Sequence, residues 1–147
     1  MTRARISRTL LDLVAADRRT RLGAAADLIT DAAAFAAALR GEVAPTAKRL
    51  QPVERRRALT VVIEIWRDLG RDLALAAHGH DRGIHDLDQL EDLQAAADGL
   101  DPLALVRFLD RLDRLSVAIE GYASPELTLD VLLLTWPRAA SSGRSVS

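Results

Sequence analysis

The sequence predicts an all-α, bundle-like single domain of about six helices, and three observations carry that prediction. The apolar share, 49% of 147 residues, is built on Ala and Leu with only five aromatic side chains, a composition of good helix formers. Apolar residues recur at three- and four-residue spacing rather than at alternate positions, the period of a helix and not of a strand. Punctuation divides these runs into pieces of helical length, with Ser-Pro or Asp-Pro at starts and Gly at ends. A chain of this length suits one domain with a real core. The expected layout is a helical domain over 1–137, comprising N-terminal helices (1–40), a connector (41–52) and a main helical core (53–137). A Ser-rich stretch, 138–147, is expected to be a disordered tail.

In chain order, residues 3–17 read as a first helix with Ile6, Leu10, Leu13 and Val14 on one face. A second spans 20–40, with Leu22, Ala25, Ala26, Ile29 and Ala33 on one stripe and Leu28, Phe35 and Leu39 on another. Thr30-Asp31 is a candidate break within it, and Gly41 a candidate left-handed stop. Large side chains are scarce in both, which predicts loose packing. The connector carries Pro45 and Pro52 and no clear period. The longest helix is expected from Pro52 to His78, its seam Leu59, Val62, Trp66, Leu69, Leu73 and Ala76 facing another helix. Arg67, Asp68, Arg71 and Asp72 mark its opposite side, where Asp68 and Arg71 are spaced to pair. Glu64, between Ile63 and Ile65, reads as exposed or paired with Arg67 or Arg71.

His78, His80, His85, Asp81 and Asp86 crowd the next loop. Their spacing fits no standard zinc pattern, and with Gly79 and Gly83 present the reading is a solvated polar turn. A short amphipathic helix follows over 87–98, closed by Gly99. Asp101-Pro102 then opens a helix with the seam Leu105, Phe108, Leu112, Leu115, Ile119 and Tyr122, and with Asp110 and Arg114 spaced as an ion pair on its outer face. The last helix starts at Ser124-Pro125, has Glu126 in its first turn, and stops at Pro137. Leu127, Leu129, Val131, Leu132, Leu133, Leu134 and Trp136 cover nearly every side of it. A helix apolar all round is expected to be buried, so the rest of the chain is expected to cover this one.

Charge and motifs narrow the function classes. Net charge is −1, yet residues 1–57 carry twelve basic and six acidic side chains while 58–147 carry eight and fifteen. Such asymmetry suits head-to-tail association as well as internal neutralisation. There is no cysteine, so no disulfide or thiolate chemistry, consistent with a cytoplasmic protein. No run of 18 uncharged apolar residues predicts a membrane span, and the N-terminal apolar residues are interrupted by Asp12 and Asp17, unlike a signal peptide. Nucleophile-elbow, phosphate-loop, dinucleotide and zinc-protease motifs are all missing. The expectation is a protein without catalysis, metal or cofactor. Lys48, Arg49, Arg55, Arg56 and Arg57 form a basic run able to contact phosphates, but no aromatic is interleaved to stack bases.

Three blocks together resemble a known family. Leu59 to Leu75, containing Glu64-Ile65-Trp66-Arg67-Asp68-Leu69, Ile84-His85-Asp86-Leu87-Asp88, and Tyr122 to Leu134 are similar, in that order, to the C-terminal domain of the delta-prime subunit of the bacterial DNA polymerase III clamp loader. Pro125, Leu127, Leu129, Leu132, Leu133 and Leu134 match the family's closing pattern. Asp130 stands where Glu is usual, and Asp86, Tyr122 and Ser124 replace asparagines. Residues 1–40 are similar in character only. The resemblance implies a collar domain, the helical part through which clamp-loader subunits pack into a ring in DNA replication. The implied partners are the other clamp-loader subunits, with DNA reached indirectly and no membrane. ATP binding belongs to modules that these residues do not include. Candidate subunit-contact residues are Val61, Ile65 and Trp136. The alternative is a free-standing helical regulator that contacts nucleic acid through 48–57.

Overall fold

Local capping chemistry sets several of the helix boundaries. The computed structural model describes residues 3–46, 50–79, 90–118 and 124–137. Its helices are α1 (Arg3–Asp12), α2 (Arg18–Gly23), α3 (Ala25–Leu39), α4 (Pro52–Ala77), α5 (Leu90–Asp98), α6 (Pro102–Ala118) and α7 (Pro125–Thr135). The described residues contain no strand. Only Ala24 separates α2 from α3, so the pair forms one kinked rod and the domain is an all-α assembly of six rods. The Asp17 carboxylate accepts from Thr20 N at 2.8 Å to start α2, and Asp101 accepts from Leu103 N at 3.1 Å to start α6. Gly41 (φ +69°) and Gly79 (φ +72°) take the left-handed conformation just past α3 and α4, as a glycine stop should.

The expected break at Thr30-Asp31 is corrected to Ala24. Thr30 Oγ1 returns to the Ala26 carbonyl at 3.0 Å inside an unbroken α3 and caps nothing. The turn comes instead where the Ala24 N–H is shared between the Arg21 and Leu22 carbonyls. The first helix also stops earlier than predicted, at Asp12, and runs out through a turn in which Val14 N bonds Leu11 O at 3.1 Å. By length and composition the run Arg18–Leu39 could cross a membrane, because alanine raises its hydropathy and its last 18 residues hold only Asp27 and Asp31 as charges. Here Ala25, Leu28, Ile29, Ala32, Ala33, Ala36 and Ala37 of this run are buried in protein.

α4 is the centre. It packs against α1, α3, α5, α6 and α7, and its predicted seam from Leu59 to Leu73 is buried. One apolar cluster extends from Ile6 and Leu10 through α3 and α4 to Leu132, Leu133 and Trp136, so the N-terminal helices share the core of the rest. Trp66 of α4, Phe108 of α6 and Trp136 after α7 meet at centroid distances of 5.1, 5.4 and 4.7 Å. Tilted and edge-on rings at such spacings are favourable beyond their buried area. Gly70 lets α6 approach α4: a Cβ there would lie 2.5 Å from Leu109 Cδ2.

Being covered on several sides also changes the polar face of α4. Asp72, expected at the surface, is buried. Asp68 pairs with Arg3 of α1 at 2.5 Å rather than with Arg71, and Arg67 pairs with Asp113 of α6 at 2.9 Å. Glu64 is exposed, as expected, and Asp110–Arg114 forms at 2.8 Å. Arg8 bridges α1 to Asp92 of α5 and also reaches Asp12 at 3.3 Å. Those carboxylates, the Asp92 hydrogen bond first, hold its guanidinium above the usual arginine range. The pair is exposed and of small worth to stability. The histidine loop (80–89), the far end of the α6 seam with Ile119 and Tyr122, and the tail 138–147 lie outside the described residues.

Candidate functional site

The closing helix is where the fold gathers its unusual features. Ser124 caps it, accepting from Leu127 N at 3.5 Å, and Pro125 occupies the first turn. At its other end Trp136 is buried and its indole Nε1 donates to the Leu10 carbonyl at 3.0 Å. Arg21 joins this end of the helix to the N-terminal part of the chain. Only 1% exposed, it donates through Nε to Leu13 O (2.9 Å), through Nη1 to Leu133 O (3.0 Å) and Trp136 O, and through Nη2 to Val14 O and Pro137 O (both 3.2 Å). Carbonyls at helix C-termini have no intrahelical partner and carry partial negative charge. A single guanidinium therefore serves the ends of α1 and α7 together.

The inner face of α7 is Thr128, Leu129, Leu132 and Leu133, all buried. The outer face corrects the expectation of complete burial. Leu127, Val131 and Leu134 are 67%, 49% and 40% exposed, and at i, i+4 and i+7 they form one apolar stripe. The helix packs against α2, α3 and α4, so the described residues cover only one side of it. Beside Leu134, Thr135 lines a recess of about 170 Å³ together with Ala104, Arg107, Phe108 and Arg111 of α6. Arg107 and Arg111, one turn apart, are exposed.

A second apolar surface lies between α3 and α4. Ala36, Leu39, Arg40, Arg57, Thr60, Val61 and Glu64 line an open groove of about 330 Å³, with Leu39 71% exposed. It is apolar along its floor and carries both signs of charge at its rim.

No protein-family model, curated protein or solved structure matches this chain. The surfaces therefore have to be read from their own chemistry.

The residues singled out from sequence divide accordingly. Of the three candidate contact residues, Val61 borders the α3–α4 groove, whereas Ile65 and Trp136 are buried in the domain's own core. Their side chains fill space against neighbouring helices, so neither is available to a partner in this fold. Of the basic run, Lys48 and Arg49 lie outside the described residues. Arg55 is tied to Glu126 of α7 at 3.2 Å, and Arg56 and Arg57 are exposed. Sequence reasoning missed Arg21 and the outward turn of Leu127, Val131 and Leu134. Arg21 had a readable signal: it continues the buried stripe Ala25, Leu28 and Ala32 backwards at i−4, i−7 and i−11. Among the described residues no group of three His, Asp or Glu side chains is placed to hold a metal ion.

Proposed function

We propose that this chain is a non-catalytic association module, a collar-type domain of a delta-prime-like clamp-loader subunit that acts in DNA replication by packing against other subunits. The observation that carries the reading is the pair of apolar surfaces on different helices, the α7 stripe and the α3–α4 groove. A subunit that continues a ring through head-to-tail contacts needs two different patches, one for each neighbour. Covering each half-exposed Leu or Val of the α7 stripe gains about 1 kcal/mol, enough together to make a useful interface core. The resemblance of Leu59–Leu75 and Tyr122–Leu134 to the delta-prime collar supports reading the neighbours as clamp-loader subunits. DNA contact through 48–57 is the weaker reading, since Arg55 is already engaged with Glu126.

The test is co-expression of the chain with the other clamp-loader subunits of its source organism, followed by size-exclusion chromatography. Co-elution in a stoichiometric complex is expected. A chain that always elutes alone, with the partner subunits assembled and active, overturns the reading.

A further inference from the structure

We infer that the outer face of α7, continued onto α6, docks an amphipathic helix whose apolar stripe is bordered on one edge by acidic residues. The proposal rests on the association reading above and specifies the chemistry of one of its two contacts. The apolar part is Leu127, Val131 and Leu134. A stripe at i, i+4 and i+7 on one helix is the shape that a second helix covers, side chain against side chain.

Charge decides what the second helix carries. Arg107 and Arg111 line a recess together with Thr135, the last residue of α7. Among the described residues neither forms an ion pair, because Asp110, the acid between them, is taken by Arg114 at 2.8 Å. Two exposed guanidiniums one turn apart match two carboxylates three or four residues apart on a partner helix. A partner with lysines at those positions meets like charge instead, which is how such an edge selects. Asp130 sits on the opposite border of the stripe, so the two edges differ in sign and also fix which way round the partner lies.

The test uses the full chain and two designed helical peptides with the same leucine stripe. One carries Glu along one edge and the other carries Lys at those positions. Fluorescence anisotropy is expected to show the Glu peptide binding at least tenfold more tightly than the Lys peptide. The double variant Arg107→Glu/Arg111→Glu is expected to reverse that preference. Val131→Asp is expected to weaken both peptides at least tenfold while the far-UV circular dichroism stays unchanged. Equal binding of the two peptides, no binding by either, or a preference that survives the charge reversal would overturn the proposal. So would concentration-dependent self-association abolished by Val131→Asp, which would make a second copy the occupant. If the chain co-elutes with clamp-loader subunits but shows no peptide preference, this docking surface fails and the association reading stands. A clear preference without co-elution gives the converse.

Discussion

At the scale of single residues, Arg21 is the most consequential side chain in the chain. It supplies donors to five main-chain carbonyls that end two helices distant in sequence. Arg21→Met keeps much of the volume and removes every donor, leaving those carbonyls buried with fewer partners. The expected loss is roughly 3–5 kcal/mol, a large part of the total stability of a domain this size, read as a lower urea midpoint. Arg21→Lys is expected to fall between the two, because one ammonium cannot span both helix ends. A wild-type midpoint for Arg21→Met would show that the carbonyls find other donors. The residue escaped pattern reading because periodicity counts a charge as solvent-facing. Only the fold brings Leu13, Val14, Leu133, Trp136 and Pro137 around one point.

At the scale of elements, the chain wrote its helix ends plainly and its helix faces only in part. Ser124-Pro125, Asp101-Pro102, Gly41 and Gly79 act within a few residues of themselves, so α3, α4, α6 and α7 begin or end where local chemistry says. The seams Leu59–Leu73 and Leu105–Leu112 were equally legible, since one helix face needs one partner. The break at Ala24, the burial of Asp72 and the outer side of α7 depend on which neighbours arrive, which no local window contains. Gly70 illustrates the same coupling. Gly70→Ala gains up to about 1 kcal/mol of helix propensity but displaces the Leu109 methyl that lies against it, so a near-neutral urea midpoint is expected. Gly70→Leu is expected to destabilise by about 1–3 kcal/mol through overpacking between α4 and α6. Equal midpoints for the two variants would mean that the helices do not approach closely there.

At the scale of the whole molecule, the domain spends its large side chains on a core around α4 and leaves two apolar surfaces outside it. The contrast between neighbouring residues of α7 checks this division. Val131→Asp, on the outer stripe, is expected to cost only about 1 kcal/mol, the worth of its half-buried side chain. Leu132→Asp, on the buried face, places an unpaired charge in the core and is expected to unfold the domain in a thermal melt. Of the contact candidates read from sequence, Val61 borders the α3–α4 groove. Ile65 and Trp136 looked the same in a hydrophobic pattern, and packing assigned them to the interior. The most direct measurement of the central claim is hydrogen exchange on the chain, free and then mixed with the clamp-loader subunits proposed as its partners. New protection confined to 127–134 of α7 and to 36–64 around the α3–α4 groove is the predicted result. Protection that appears elsewhere and spares both surfaces, or none at all, would contradict it.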